Sequence, residues 1–450
     1  MNTIARIPYA AAGALARAVA AVMPSGGSKT ARALSSRRGI GRRYAEWAAA
    51  NRDATRPLLW VHAPSVGEGL QALPVIRIFR ERHPEAQLAY TFYSPSAEDF
   101  ARSTGADFVD YLPFDTSHDA TAALDALKPS ALVFSKLDVW PLLVDVAAKR
   151  GVKLGMLSAT MPESSRRRSS LARLALADAY AALDAVGAIS DSDARRLVET
   201  GVRSDRISVT GDTRYDQAWM RAETDSTERM TLLRPLRAPR FTMVAGSTWP
   251  SDEERLLPAW LIAKAAHDDL RLVIAPHELS EKNLKRIESW AHENNLTSER
   301  LATDAAARAD VVIVDRYGVL GDLYALADIA YVGGGFRDAG LHSLLEPAAF
   351  GAPVIIGPRH PDNRDARLLT AAGAAFRCND AASMANQIRG WLGAPDTLAN
   401  ARSAARAVVR NGLGAADLSV ALVERLMGAV RPLSRASMTE GSNGFRGLSG

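Results

Sequence analysis

Cysteine is nearly absent: the 450-residue chain holds one, Cys378. A lone cysteine excludes an internal disulfide framework and a cysteine-rich zinc site, and it fits a reducing compartment. Aromatic residues make up only 6%, and no aromatic-rich or helix-turn-helix feature accompanies the basic residues. Nucleic-acid binding is therefore not expected. Long hydrophobic runs are also missing. The most apolar stretch, 7–23, is alanine-rich and broken by Arg17, which argues against an exported leader and against a membrane span. An interfacial amphipathic helix or a helix packed on the first domain both remain open for it. Charge is close to balanced, at a net +5.

The hydrophobic fraction of 47% is that of a globular protein, and the length calls for two domains of about 150–200 residues each. The modest net charge hides an asymmetry. Ten basic and two acidic residues stand between Met1 and Arg56, so the remainder of the chain sums to −3. Residues 1–56 are therefore expected to form a basic arm suited to an anionic membrane surface.

From Pro57 onward, short apolar runs alternate with helical periodicity. Strands are expected at 57–63, 87–93, 131–134, 153–157, 185–189 and 207–210, and again at 241–245, 271–275, 311–314, 329–332 and 353–356. Such alternation implies parallel sheets covered on both faces, here two doubly wound Rossmann-like domains facing a central cleft. The expected divisions are 57–225 and 226–430, with a linker in the polar, proline-bearing stretch 223–240. A Ser- and Gly-rich tail at 431–450 is expected to be disordered. Ligands in such sheets bind beyond the carboxyl ends of the strands.

Three strand ends carry candidate chemistry. Ser65-Val66-Gly67-Glu68-Gly69 follows the first strand. Its glycines let the backbone turn, and Glu68 at a helix start can serve as a general base on a sugar hydroxyl or simply cap the helix. Ser247 and Thr248 close another strand and can hold a phosphate at a helix start or provide an N-cap. Gly333-Gly334-Gly335, followed by His342 and by Glu346 before Pro347, fits a nucleotide-sugar site, with Glu346 accepting from ribose hydroxyls. A turn with a capping Glu fits the same residues.

These segments together resemble the 3-deoxy-D-manno-octulosonic acid (Kdo) transferase family of GT-B glycosyltransferases. Trp60-Val61-His62-Ala63-Pro64-Ser65-Val66-Gly67-Glu68, Ser94-Pro95-Ser96, 111–115, 209–216, and Gly333 through Ala348 occur in the family's order. The resemblance implies a GT-B fold and inverting transfer of Kdo from CMP-Kdo to a lipid A precursor, with Glu68 as general base. It implies catalytic roles for Asp138 and for Arg214, which stands where the family usually has Lys. It places CMP against Pro276, His277, Tyr317, Gly318, Val319, Ser343, Leu344, Leu345 and Glu346. The chain departs from the family's pattern at Lys136, Asp138, His277 and Val319. No Asp-x-Asp motif for a metal–diphosphate complex is seen and CMP leaves with one phosphate, so no cofactor and no metal requirement is expected. The implied location is the cytoplasmic face of a bacterial inner membrane, peripheral or anchored by the N-terminus. The rival reading is a GT-B transferase or epimerase acting on a UDP-sugar.

Overall fold

Short runs of Val, Ile, Leu and Ala with turn residues on either side become strands because helices cover both faces of each sheet. The computed structural model describes residues 3–23, 28–338, 340–360 and 363–428. The tail 431–450 lies outside them. The first sheet comprises β1 (Leu58–His62), β2 (Gln87–Phe92), β3 (Phe108–Tyr111), β4 (Ala131–Ser135), β5 (Lys153–Ala159), β6 (Ala185–Ala188) and β7 (Ile207–Val209). Its order is β3-β2-β1-β4-β5-β6-β7. The second comprises β8 (Thr242–Thr248), β9 (Arg271–Pro276), β10 (Ser298–Arg300), β11 (Val311–Ile313), β12 (Ile329–Val332), β13 (Val354–Ile356) and β14 (Ala375–Arg377). Its order is β10-β11-β9-β8-β12-β13-β14. Every pairing is parallel. Both sheets are thus doubly wound, and the strand order reverses beside β1 and β4 in the first and beside β8 and β12 in the second, the places where such folds bind ligands.

The boundaries differ from those expected. One compact unit runs to Thr213 and resumes at Gly414; the other is Arg214–Leu413. The stretch 223–240 is no linker. It contains the helix Thr227–Leu233, and Leu233 and Leu236 are buried in the core of the second unit. The last described helix, Ala415–Leu426, belongs to the first unit, where Val420, Leu422 and Val423 join the core.

The N-terminal segment is likewise built into its unit rather than hanging from it as an arm. It forms α1 (Thr3–Val22), α2 (Lys29–Ser35) and α3 (Ile40–Asn51). Tyr44 of α3 is fully buried, edge-on to Phe108 at 4.6 Å, and its hydroxyl donates to the Tyr111 carbonyl at 2.9 Å. Most of the basic residues are occupied. Arg37 is buried and donates to the Leu112 carbonyl (2.8 Å) while lying over the Tyr93 ring (4.2 Å). Arg43 pairs with Asp110 (2.7 Å), Arg17 with Asp119 (3.1 Å) and Arg6 with Asp145 (3.0 Å). Arg52 donates to the Leu127 carbonyl and Arg56 to that of Glu85. A guanidinium satisfies several carbonyls at once, so a cluster of arginines in sequence can be a set of structural clasps. On α1, Ile7, Leu15 and Val22 remain exposed, as does Leu171 on the neighbouring helix Ser170–Ala181. Among the described residues no helix is long and apolar enough to cross a membrane.

Candidate active site

In the first unit, β1 delivers its carboxyl end to Ser65, and α4 (Val66–Arg82) begins at once. Glu68 therefore sits in the first turn of α4, where the helix dipole favours a carboxylate. Gly69 lets this turn press inward: a Cβ there would lie 2.3 Å from the Phe100 ring and 2.5 Å from the Tyr90 hydroxyl. The Glu68 carboxylate accepts from the Ser65 hydroxyl and from Lys136 Nζ at 3.2 Å, while the Ser135 hydroxyl holds the Glu68 carbonyl at 2.9 Å. Burial acts to raise its pKa, but Ser65 and Lys136 outweigh burial and hold it below the usual glutamate value. Glu68 is thus ionised and oriented. Its own backbone N–H adds to the same lowering, so the carboxylate also serves the helix start.

Lys136 comes from the turn after β4 and adopts a left-handed backbone with φ +69°, a strained choice for a residue with a Cβ. Two residues on, Asp138 is held from three sides: Arg167 donates at 3.1 Å, the Trp140 indole donates at 3.1 Å, and His62 Nε2 lies 3.4 Å away. His62 is itself fully buried, with Nδ1 3.0 Å from the Thr91 carbonyl. Burial pushes Asp138 upward, yet His62 and Arg167 together keep it below the usual aspartate value. Glu68, Lys136 and Asp138 all follow β1 or β4, the two strands flanking the order reversal.

In the second unit, Arg214 pairs with the buried Asp365 at 2.9 Å, and Tyr215 donates to the same carboxylate at 3.1 Å. Ser247 ends β8 with φ +53°, and the Gly-rich turn after β12 lies directly against it. A Cβ on Gly333 would be 2.1 Å from the Ser247 carbonyl oxygen, so only glycine fits. The expected phosphate contact of Thr248 does not match what this residue does. Its hydroxyl is buried and donates to Glu253 at 2.8 Å, and Asp252 caps the helix Pro250–Lys264 from within by accepting from Trp249 N (3.0 Å) and Gly334 N (2.9 Å). That helix start is already filled by carboxylates and would repel an anion.

Pro276 ends β9, and the exposed His277 stacks on Trp249 at 4.3 Å and lies 4.7 Å from His342. Tyr317 is exposed, and its hydroxyl accepts from Leu279 N at 3.2 Å, tying its loop to the end of β9. Gly318 has φ +88° and Val319 starts the helix Leu320–Leu323. Ser343 is exposed, whereas Leu344 and Leu345 are buried in the core, so only their backbone can meet a ligand. Glu346 opens the helix Leu345–Ala349. No hydrogen bond from the described residues ends on its carboxyl group, and burial raises its pKa against a partly compensating Arg221. Arg221 also pairs with Asp322 at 3.1 Å and donates to the Gly318 carbonyl at 3.5 Å, so Glu346 and the 317–319 loop share one cation.

No sequence signal marks Trp249 and Arg337, whose indole and guanidinium stack only once the strand ends converge. An Asp-x-Asp triplet does occur, Asp191-Ser192-Asp193, but Asp193 is spent on Met161 N (2.8 Å) and Arg196 (3.1 Å) at the start of a helix. Among the described residues no group of three or more His, Cys, Asp or Glu is placed to hold a metal ion.

Residues 34–217 match the family model described as 3-deoxy-D-manno-octulosonic-acid transferase (kdotransferase). A 3-deoxy-D-manno-octulosonic acid transferase of Bordetella pertussis is 29% identical over 82% of this chain and 87% of its own length. One from Chlamydophila psittaci is 28% identical over 76% and 79%, and one from Aquifex aeolicus 25% identical over 73% and 84%. Among solved structures, a UDP-GlcNAc 2-epimerase from Neisseria meningitidis superposes with a TM-score of 0.60 at 13% identity, covering 82% of this chain and all of that one. That likeness shows the shared architecture of two Rossmann-like domains.

Proposed function

The chain belongs to the Kdo transferase family of GT-B glycosyltransferases, and from that premise we propose that it transfers Kdo from CMP-Kdo to a hydroxyl of a lipid A precursor, with inversion and with Glu68 as the general base. The observation that carries the reading is the state of Glu68. An ionised carboxylate, fixed by Ser65 and Lys136 at the order reversal of the first sheet, is ready to take a proton from an attacking hydroxyl.

The reaction forms a bond from the acceptor oxygen to the anomeric carbon and breaks the bond from that carbon to the CMP phosphate oxygen. The transition state has oxocarbenium character, as in glycoside hydrolysis. Glu68 accepts the acceptor's proton, and the departing CMP carries away the electron pair. Lys136 keeps Glu68 deprotonated between turnovers. Asp138, bound by His62, Trp140 and Arg167, holds the turn after β4 that carries Lys136. On the donor side, Glu346 accepts from the ribose hydroxyls, since its carboxyl group is desolvated and open to new donors. His277, the 317–319 loop and the backbone of 343–345 complete the nucleotide contacts. CMP is a monophosphate leaving group whose charge hydrogen-bond donors and cations can stabilise, so transfer proceeds without a metal. The acceptor is a phosphorylated lipid. The exposed apolar residues of α1, Ile7, Leu15 and Val22, with Leu171, form the face that meets the anionic inner-membrane surface from the cytoplasmic side.

Mass spectrometry of the acceptor lipid after incubation with CMP-Kdo tests the reaction, with UDP-sugars as the comparison. Glu68→Ala should fold and bind CMP while transfer falls by about 10²–10⁴-fold. Near-normal turnover of that variant would remove Glu68 as the base.

A further inference from the structure

We propose that Arg337 receives the carboxylate of the donor sugar, and that Trp249, backed by His277 and His342, holds its guanidinium ready for it. The inference rests on the donor reading above. Arg337 lies at the tip of the turn that follows Gly333-Gly334-Gly335, with its guanidinium carbon 3.6 Å from the centre of the Trp249 ring. Among the described residues no hydrogen bond or ion pair ends on that guanidinium. The neighbouring arginines are committed: Arg359 to Asp338 (2.6 Å), Arg255 to Glu254 and to the Ser251 carbonyl, and Arg286 to Glu253. Stacking on an indole uses the face of the guanidinium and leaves its in-plane N–H fork available, which is the geometry that meets a carboxylate with two parallel hydrogen bonds.

The platform is itself braced. Trp249 stacks on His277, His277 lies against His342, and the Trp249 indole N–H donates to His342 Nε2 at 3.4 Å. With Nε2 accepting, a neutral His342 carries its proton on Nδ1, a second donor beside the same cation. These residues come from the ends of β8 and β9 and from the turn after β12, so three strands fix the arrangement. The buried Asp252 is spent on Tyr331 (2.9 Å), Gly334 N and Trp249 N.

A CMP-linked ulosonic acid offers two anions. The phosphate is shared with free CMP; the carboxylate belongs to the sugar alone. Donor KM and inhibition by CMP separate them, measured for the wild-type protein and for Arg337→Gln, Arg337→Lys and Trp249→Ala, with the thermal midpoint as a control on folding. Arg337→Gln should raise the donor KM by about tenfold or more and leave the CMP inhibition constant within about twofold. Arg337→Lys keeps the charge without the fork and should fall between, and Trp249→Ala should raise the donor KM likewise while also moving CMP inhibition, because His277 loses its stacking partner. In Arg337→Gln, equal weakening of CMP and donor would assign the guanidinium to the phosphate and overturn the proposal, as would an unchanged donor KM. A wild-type protein that neither uses CMP-Kdo nor is inhibited by CMP would instead overturn the donor reading, before any variant is made.

Discussion

Replacing Lys136 with methionine tests how the proposed base, Glu68, is tuned. The substitution keeps the unbranched stem of the side chain, one atom shorter, and removes its ammonium, which lies 3.2 Å from Glu68. Two unit charges at that separation attract by about 1.3 kcal/mol under full water screening and about four times more at the effective dielectric of a protein surface. The Lys136 side chain is 39% exposed and that of Glu68 19%, so screening is strong and about 1–2 kcal/mol is the appropriate range. The sign follows from the direction of the shift. Glu68 is held below its ordinary pKa by Ser65 and Lys136 against burial, so it stays ionised, and contributes to stability, until the pH falls through its folded value. Without Lys136 that point moves upward. The acidic limb of kcat/KM should therefore move to higher pH in Lys136→Met, with a loss of about tenfold in mildly acidic buffer. Turnover should converge with wild type as the pH rises, and Lys136→Arg should restore the limb. An acidic limb that stays in place in Lys136→Met would refute the coupling, and one that also stays in place in a Glu68 variant with residual activity would refute Glu68 as the titrating base.

Three further outcomes are expected. Deleting residues 1–52 should leave the first unit unable to fold, and Tyr44→Ala alone should cost about 3–5 kcal/mol, because the fully buried ring leaves a cavity and an unpaired Tyr111 carbonyl; denaturant unfolding checks both, and a well-folded truncated protein would contradict the packing described. Gly333→Ala places a Cβ 2.1 Å from the Ser247 carbonyl and should destabilise the second unit by about 1–3 kcal/mol while weakening CMP binding, read by calorimetry and by the thermal midpoint.

The sheets were legible in the sequence where strands are buried on both faces. The runs 58–61 and 329–332 are continuous and apolar, and the structure buries every residue in them. The strands that escaped notice are peripheral. β3 carries Asp110, β10 reads Ser-Glu-Arg, and β14 ends in Arg377, each with residues that face solvent or an ion pair. An edge strand needs no unbroken apolar run, so its pattern is weak. Charge misled in a different way. The arginines of residues 1–56 are an excess of one sign along the chain, but in space they meet Asp110, Asp119, Asp145 and a series of carbonyl oxygens, partners that local sequence does not reveal. Among the candidate residues of each unit, Glu68 and Glu346 stand out in the sequence because glycines and helix starts flank them. The Lys136 contact and the Arg337–Trp249 stack depend on which strand ends become neighbours, and that is a property of topology.

The helix Ala415–Leu426 has a consequence for how the protein is made. Leu426 packs where a Cβ on Gly155 of β5 would come within 2.6 Å of it, and the helix also touches α4 and β6. A nascent chain thus releases every strand of its first sheet from the ribosome long before the piece that seals one face of that sheet is synthesised. Through the whole of Arg214–Leu413 the part of that face beside α4, over β5 and β6, lacks its native cover, so an emerging chain must shield it by other means, and a messenger truncated after Leu413 yields a first unit that is sticky rather than merely shorter.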